Sequence, residues 1–300
     1  MTSGVKTIDP KSLAIQELHG YLLGAVAPRP IAFASTIDSD GNVNLSPFSY
    51  FNVFSANPPV MIFSPARRSR DNTTKHTFDN IKQVPETVIN IVNFPIVEQV
   101  SLASTEYDQG VNEFVKAGLT QVPSEKVRPP RVGESPVAFE CLVDDVIELG
   151  QKGGAGNLII SRVVMIHIQE KYLDKEGRLD TKAIDAVGRM GGNWYCRASG
   201  DALFEIPKPL QSKGIGVDQL PDKIRLSNIL TGNNLGRLGN LEYLPDVEAI
   251  EEVKNEAEVK SIMAQAGSQP EAMQEALHRL AQVYLEQGDT QKALKILMIS

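Results

Sequence analysis

Cysteine and histidine, the side chains that most often bind structural zinc, are scarce in this sequence. Its two cysteines, Cys141 and Cys196, lie far apart, and neither has a second Cys or a His at metal-ligand spacing. The four histidines are scattered, with no His-x-x-x-His pattern and no carboxylate partner at metal-ligand spacing. We therefore expect reduced, buried thiols and no metal site.

The sequence also lacks an excess of positive charge and any long apolar run. Its formal net charge of -7 gives no overall attraction to nucleic acid or to an anionic membrane. Residues 1–10 lack the basic and apolar parts of a signal peptide, and no run of about 18 apolar residues follows. These absences predict a cytoplasmic protein without nucleic acid or membrane partners, in which a local cluster of cations must hold any anionic ligand.

Several catalytic signatures are missing as well. No G-x-G-x-x-G opens a helix after a strand, which leaves a Rossmann domain unsupported, and there is no P-loop, nucleophile elbow or kinase signature. The one glycine-rich run, 153–156, lies between two predicted strands and is interpreted as a flexible loop. Neither an acid-base dyad nor a nucleophile is predicted, so no catalytic side chain is assigned.

Strand patterns dominate residues 30–170, where β-branched and aromatic runs alternate with turn residues. In the first run, Ile31 and Phe33 fall on one face, while Ala32 and Ala34 fall on the other. The predicted strands are 31–37 with a hairpin partner at 43–45, then 60–63, 88–92, 137–143 and 158–168, and the helices are 75–84, 95–104 and 111–117. This order predicts a mainly β (α+β) fold, a closed or nearly closed barrel with peripheral helices.

The character of the sequence changes after Pro207. Residues 207–247 show no sustained period and are interpreted as an extended arm or linker, which separates a domain at 1–206 from a helical segment at 248–300. Within the latter, 272–297 predicts two antiparallel helices that resemble one tetratricopeptide repeat. The matching positions are Leu277, Leu280, Ala281, Tyr284, Gly288, Ala293 and Leu297. A lone hairpin needs a neighbour, so we expect it to pack on the barrel, pair with a second copy or bind a protein partner.

Three blocks of sequence, in this order and spacing, carry a resemblance to a known family. They are Ala27-Pro28-Arg29-Pro30-Ile31-Ala32-Phe33, then Asn44 to Val53 with the core Ser46-Pro47-Phe48-Ser49-Tyr50-Phe51-Asn52, and Asn57-Pro58-Pro59-Val60. Together they resemble the flavin-reductase-like FMN-binding family, which includes flavoredoxin-type proteins and reductase components of two-component monooxygenases. The likeness covers about the first 200 residues.

The resemblance implies an FMN-binding split β-barrel with the flavin near the subunit boundary of a homodimer. It also implies that 46–52 borders the isoalloxazine and that Pro28, Arg29 and Pro30 lie beside it. A planar ring suits such a segment, because proline stiffens it, aromatics supply area and small hydroxyls permit a close backbone approach. The alternative is an aromatic-rich strand connection without a ligand.

A cationic run follows the predicted strand at 60–63. Arg67-Arg68-Ser69-Arg70, with Lys75 and Thr77 at the start of the next helix, is suited to a 5′-phosphate, and a solvated basic turn is the alternative. Further along, Arg189 precedes two glycines and can reach the flavin or the nicotinamide phosphates, or belong to a structural hairpin. The candidate cofactor-binding residues are thus Pro28, Arg29, Pro30, Ser46, Pro47, Phe48, Ser49, Tyr50, Phe51, Asn52, Ser64, Arg67, Ser69, Arg70, Lys75, Thr77 and Arg189.

Three functions are compatible with these features. The first is a flavin reductase that carries hydride from NADH or NADPH to FMN and passes reduced flavin to a partner oxygenase or another acceptor. The second is a flavoredoxin-like electron carrier without a dedicated nicotinamide site. The third is an interaction protein, in which the terminal helices recruit a partner and the barrel is structural.

Overall fold

The protein forms two compact units, and the boundary falls between Phe204 and Glu205. The computed structural model describes residues 4–206 and 213–299. The first unit is built on a sheet and the second is helical, which confirms the predicted α+β class.

The first unit is organised by an antiparallel sheet of seven strands. Its strands are β1 (Ala32–Ile37), β2 (Val43–Phe48), β3 (Phe51–Ala56), β4 (Pro59–Phe63), β5 (Glu86–Ile91), β8 (Val137–Glu148) and β9 (Asn157–Ile168). They are hydrogen-bonded in the order β2-β1-β5-β8-β9-β4-β3. The strands β2 and β3, neighbours in sequence, therefore occupy opposite edges of the sheet.

The connection between these two edges forces the sheet to curl. Only Ser49 and Tyr50 separate Phe48, the last residue of β2, from Phe51, the first residue of β3. Three Cα steps span at most about 11 Å, whereas the edges of a flat sheet of this width would lie about 29 Å apart. The edges must meet without pairing to each other, as expected for a nearly closed barrel.

The two faces of β1 belong to different cores. Ile31 and Phe33 pack with Leu45, Val92 and Phe114 in a layer on one face. On the other face, Ala32 and Ala34 belong to a second cluster. The remaining buried members of this second cluster are Phe48, Met61, Phe63, Phe78, Ile81, Ile89, Cys141 and Ile159. The predicted division of Ile31 and Phe33 from Ala32 and Ala34 is confirmed.

Helices and small sheets surround the barrel. The helices are α1 (Ile15–Ala25), α2 (His76–Gln83), α3 (Val97–Leu102) and α4 (Glu113–Ala117), and the short strands are β6 (Gln121–Val122), β7 (Arg131–Val132), β10 (Val187–Arg189) and β11 (Tyr195–Arg197). Short 3-10 helices lie at Pro10–Ser12, Phe94–Ile96, Glu170–Tyr172 and Gly200–Ala202. The predicted helices 75–84, 95–104 and 111–117 are thus found in shorter form. None of the residues of α1 is buried.

The glycine-rich loop between β8 and β9 is packed rather than free, which corrects its interpretation as a flexible loop. The backbone N–H of Arg67 donates to the Ala155 carbonyl at 2.8 Å, and that of Gly154 donates to the Arg67 carbonyl at 3.0 Å. A Cβ atom on Gly153 would lie 2.9 Å from the Arg68 carbonyl oxygen. Glycine is needed here because two backbone segments approach closely.

The helical unit includes most of the segment interpreted as a linker. Its helices are α5 (Asp222–Arg225), α6 (Gly232–Gly239), α7 (Val247–Lys254), α8 (Ala257–Ala266), α9 (Pro270–Glu286) and α10 (Thr290–Ile299), with a 3-10 helix at Val217–Gln219. Leu220, Ile224, Leu230 and Leu238 are buried in the same core as the terminal helices. Residues 213–247 are therefore not an extended arm, whereas 207–212 lie outside the described residues.

The terminal hairpin finds its neighbour within this unit. As predicted, two helices form it, and Gly288 ends the first in a left-handed conformation with a φ of 88°. Its apolar residues Leu277, Leu285 and Leu297 pack against α5 to α8 and the residues before them. This neighbour was not among those expected, which were the barrel, a second copy or a partner protein, because the helices before 248 were not predicted. The likeness to a tetratricopeptide repeat stays a prediction.

Two expectations about composition can be compared with this fold. Cys141 is fully buried, and burial raises the pKa of its thiol to about 12, so it is an inert core residue. Cys196 is only partly buried and is also free of a disulfide. Among the residues that the structure describes, no helix is long and apolar enough to cross a membrane, and no three His, Cys, Asp or Glu side chains are placed to hold a metal ion.

Candidate functional site

The candidate site is the region that holds the predicted cofactor-binding residues. At one end of it, Arg29 joins three parts of the first unit. Its guanidinium donates to the carbonyl oxygens of Leu23 at 2.7 Å and Met190 at 3.0 Å, to that of Val26, and to the Ser49 hydroxyl at 3.4 Å. Its backbone also forms a two-way bridge with Arg189, with both N···O distances at 2.9 Å. The end of α1, the bend between β2 and β3 and the β10–β11 hairpin therefore meet at this side chain.

This bonding gives Arg29 a structural task. Arg29 is only 6% exposed, and burial lowers the pKa of its guanidinium, which stays charged at neutral pH. A buried guanidinium needs acceptors for its fixed fork of donors, and four are present. The side chain predicted to lie beside the ring is thus committed to carbonyl groups of the protein. Pro28 and Pro30, on either side of it, are exposed.

The segment 46–52 is not one loop but two strand ends joined by a bend. Ser46, Pro47 and Phe48 complete β2, and Phe51 and Asn52 begin β3. Phe48 is buried and packs on Phe63, with ring centroids 5.4 Å apart. It is therefore a core residue rather than an exposed ring-stacking platform.

The bend itself is accessible. Tyr50 is exposed, and its ring and the His19 ring form a T-shaped pair with centroids 6.3 Å apart. Partial burial raises the pKa of its phenol, so Tyr50 is neutral at pH 7. Ser49 and Tyr50 thus present backbone and side-chain groups where the two sheet edges meet.

A cluster of cations lies at the other end of the candidate site. Arg68, Arg70 and Lys75 converge on the carboxylate of Glu106, with N···O distances of 3.0, 3.1 and 3.2 Å. The Arg68 side chain is 15% exposed and also donates to the Thr73 hydroxyl at 3.0 Å and to the Thr74 carbonyl. Arg68 is thus the fixed member of the cluster, and the more exposed Arg70 and Lys75 complete it.

The start of α2 adds backbone donors to this cluster. Lys75 is its N-cap residue, and no side chain caps the helix through a hydrogen bond. The first N–H groups of a helix lack intrahelical partners and favour an anion. The cationic segment, residues 67–70, and the beginning of α2 therefore offer the kinds of donors that bind a phosphate.

Ser64 connects the two ends of the site. Its backbone N–H donates to the Tyr50 carbonyl at 2.9 Å, and its hydroxyl accepts the Asn157 N–H at 3.0 Å. The chain then continues into the cationic segment, against which the glycine loop packs. One backbone hydrogen bond at Ser64, followed by the chain itself, therefore links the bend at the sheet edges to the cations.

Two predicted phosphate ligands are not part of the cluster. Thr77 is fully buried, and its hydroxyl accepts the Asn44 side-chain amide at 2.8 Å. The guanidinium of Arg67 donates to the side chain and the carbonyl of Asn72, both at 2.9 Å, rather than to Glu106. Ser69 is exposed beside the glycine loop. The structure therefore assigns Thr77 to the packing of α2 and Arg67 to the turn that follows β4.

Arg189 lies at the Arg29 end rather than among the cations. Its guanidinium lies over the Tyr195 ring, 4.6 Å from the centroid, and donates to the Gly192 carbonyl at 2.9 Å. The neighbouring Trp194 is 78% exposed. The hairpin thus presents an aromatic and cationic surface next to the Arg29 junction.

Two groups in this region were absent from the sequence prediction. Glu106 was not considered because it lies more than thirty residues from Arg70 and Lys75 in sequence. Arg68 was part of the cationic run but not among the candidates, although it is the least exposed of the three converging cations. A basic run next to a strand gives no indication of which of its side chains will converge.

Two cavities lie elsewhere in the molecule. One of about 480 Å³ is in the helical unit, lined by residues such as Tyr243, Gln291 and Lys295. The other, of about 450 Å³, lies near His167 and Gln169 in the first unit. Neither includes a candidate cofactor residue, so the candidate site is neither of these two cavities.

The family model described as flavin reductase like domain matches residues 24–182. This span is more than half of the chain, and it includes Arg29, the Ser49–Tyr50 bend, the cationic segment and Glu106. The chain belongs to the flavin-reductase-like family. The resemblance noted in the sequence is therefore confirmed, and the hairpin with Arg189 lies beyond the matched span.

Relatives of this family member match the first unit in extent. An uncharacterised protein of Halalkalibacterium halodurans is 40% identical over 208 residues, which are 69% of this chain and 98% of that protein. The crystal structure of nitrilotriacetate monooxygenase component B from Bacillus cereus has a TM-score of 0.63 at 29% identity, covering 68% of this chain and all (100%) of that chain. The rest of this chain has no counterpart in either.

A third similarity concerns the fold. A protein from Shewanella frigidimarina with a split barrel domain has a TM-score of 0.56 at 28% identity, over 66% of this chain and 96% of that one. This agrees with the barrel whose two edges meet without pairing. The predicted split-barrel architecture is confirmed.

Replacing Arg29 by Lys should lower the free energy of unfolding by about 2–3 kcal/mol, because one ammonium cannot satisfy the acceptors that the guanidinium fork reaches. Urea unfolding measures this change. The control is Arg178→Lys, at an exposed position paired with Asp174, which should change the free energy by less than about 0.5 kcal/mol. Equal stability of Arg29→Lys and the wild type would contradict the structural task.

Proposed function

We propose that this protein is a flavin reductase that binds FMN and transfers hydride to it from NADH or NADPH. The observation that carries the proposal is that the Ser49–Tyr50 bend and the cationic cluster are joined through Ser64. All of these residues lie within the span that matches the family. Family membership supports a flavin, and the chemistry of each end suits one part of FMN.

The 5′-phosphate of FMN is assigned to Arg68, Arg70, Lys75 and the start of α2. A phosphate monoester carries about -1.5 to -2 charges and three acceptor oxygens at pH 7. The three cations already bind a carboxylate in the protein alone, which demonstrates that their donors can reach a common anion. The donor set therefore fits the phosphate.

The isoalloxazine is assigned to the bend and the ends of β2 and β3. Backbone groups at Ser46, Ser49 and Tyr50 are suited to the polar pyrimidine edge, and Pro47 stiffens the approach. The buried Arg29 positions the bend through Ser49 and adds positive charge behind it. Preorganised charge of this sign favours an anionic reduced flavin.

The bound flavin would supply the hydride-accepting chemistry, and the protein's task is to bind and orient the two reactants. Trp194, Tyr195 and Arg189 form an exposed surface beside the Arg29 junction, suited to stacking and to the phosphates of a nicotinamide donor. No side chain is assigned a proton transfer. Delivery of reduced flavin to a partner oxygenase is the corresponding proposal for the product.

We also propose that the protein works as a homodimer. The edge strand β3 exposes Val53 and Phe54, and α1 exposes Ile15, Tyr21 and Leu22. His19 of α1 contacts Tyr50, which directly precedes β3, so α1 lies against the start of this strand. No residue of α1 is fully buried in the protomer, and a second copy would cover its exposed apolar side chains. The flavin site would then lie at the subunit boundary.

Two alternatives stay predictions. An electron carrier would bind FMN at the same residues and lack only the nicotinamide surface. Recruitment of a protein by the C-terminal helices loses its original argument, because the apolar face of the hairpin is covered by α5 to α8. It remains open only for other surfaces of the helical unit.

Replacing these cations should weaken the binding of FMN but not the binding of riboflavin. For Lys75→Ala, we expect the Kd for FMN to rise about tenfold, and for the more exposed Arg70→Ala, about threefold to fivefold. Fluorescence titration of both flavins measures this. Lys82→Ala is the matched control, since this lysine lies on α2 but pairs with Glu148. Unchanged affinity for FMN in both variants would remove the phosphate assignment.

Reduction by nicotinamide separates the reductase from the carrier. When the FMN-loaded protein is mixed with NADH or NADPH in a stopped-flow instrument, flavin absorbance should bleach with a rate constant on the order of 1 s⁻¹ or faster. Trp194→Ala and Tyr195→Ala should slow bleaching without changing the Kd for FMN. If both donors bleach the flavin no faster than free FMN, the protein is a carrier.

Light scattering after gel filtration tests the dimer. The wild type should have twice the protomer mass of 32.8 kDa, and Phe54→Glu should shift it toward the protomer mass because a charge is unfavourable in an apolar interface. Val115→Glu, at an exposed position on α4, is the control and should remain dimeric. A wild-type protomer mass at tens of micromolar would overturn the proposal.

A further inference from the structure

Glu106 occupies the position where the proposed site needs an empty cradle. Its two carboxylate oxygens accept from Arg68, Arg70 and Lys75 at 3.0 to 3.2 Å. Arg68, and after it Lys75, hold the pKa of Glu106 below its ordinary value, so it is ionised at neutral pH. An internal anion thus already satisfies the donors assigned to the phosphate.

The carboxylate and a phosphate cannot share these cations. A phosphate placed within hydrogen-bond distance of the same nitrogens would lie next to the Glu106 oxygens, and like charges at that separation repel strongly. Glu106 is the more easily moved of the two. It lies in the segment after α3, its side chain is 41% exposed, and its ion-pair partners in the described residues are these three side chains.

The nearby acidic residue Asp71 is bonded differently from Glu106. It pairs with Arg70 at 3.2 Å, and its carboxylate accepts from the Thr73 N–H at 3.0 Å and the Thr73 hydroxyl at 2.6 Å. These bonds hold Asp71 in the turn, whereas Glu106, within the part of the chain that the structure describes, bonds to the cationic side chains alone. Glu106 is therefore the group that an incoming phosphate would displace.

We propose that Glu106 is an intramolecular competitor of the flavin phosphate, which sets the affinity of this site for phosphorylated flavin. The inference rests on the proposed function. While the carboxylate is bound, the cations are unavailable, so the apparent Kd equals the intrinsic Kd divided by the fraction of molecules whose cations are free. When the phosphate leaves, Glu106 neutralises the cations again. A site built in this way releases its flavin readily, as a protein that hands reduced flavin to an acceptor needs.

The alternative role for Glu106 has the opposite sign. If its carboxylate stayed in place and organised the cations around the ligand, removing its charge would weaken FMN. If Glu106 is a competitor, removing its charge strengthens the binding of FMN. Riboflavin, which lacks the phosphate, is insensitive to the competition and reports on the ring end alone.

The test compares Glu106→Gln with the wild type in fluorescence titrations of FMN and riboflavin. We expect the Kd for FMN to fall about fivefold, the range of a small network of exposed ion pairs, and the Kd for riboflavin to stay unchanged. Glu98→Gln removes the same charge from an exposed position on α3 and should alter neither Kd. Glu106→Asp, which keeps the charge but shortens the side chain, should give an intermediate Kd and serves if Glu106→Gln does not fold.

A second measurement is independent of flavin. Inorganic phosphate should raise the thermal unfolding midpoint more in Glu106→Gln than in the wild type, because ligand binding to the native state stabilises it. An FMN affinity that is unchanged or weaker in both Glu106 variants overturns the competitor. If the wild type binds no flavin at all, the proposed function fails, and the phosphate measurement still decides on Glu106. An equal phosphate effect in variant and wild type then overturns this inference as well.

Discussion

The first unit depends on one constraint, the two-residue link between the opposite edges of its sheet. Because Ser49 and Tyr50 must span from β2 to β3, the seven strands have to curl until the edges meet. Edges that meet without pairing leave backbone groups available at the seam. Arg29 and Ser64 hold the link from two sides, so the seam has a fixed geometry. The candidate ring site is a direct product of how the barrel closes.

The cationic end of the site depends on the balance between repulsion among its cations and their attraction to an anion. Arg68, Arg70 and Lys75 repel one another, and their convergence requires an anion. Glu106 supplies it within the chain, and the glycine loop fixes the backbone of the same segment by close contacts that a side chain at Gly153 would obstruct. The cations are thus held together before any ligand is present. A phosphate would have to displace the Glu106 carboxylate before it could bind the same donors.

Much of this could be predicted from the sequence, and the omissions have physical causes. The faces of β1 and the positions of the strands follow from side-chain alternation, which is local. The blocks around Pro28 and Ser46 indicate the family correctly. The bonds of Arg29, the burial of Thr77 and the place of Glu106 depend on contacts between distant segments, which no local pattern encodes. The short helices α5 and α6 were missed because each is too brief to show a period, and their stability comes from the core that they share with α9 and α10.

The β10–β11 hairpin contains a side chain whose fluorescence can be observed on its own. Trp194 is the only tryptophan of the chain, and it is exposed beside Arg189 and Tyr195. Indole emission from the whole protein therefore originates at a single place, next to the Arg29 junction. The molecule carries an optical probe at that location without any labelling, and changes in its spectrum can be attributed to that hairpin rather than averaged over many sites.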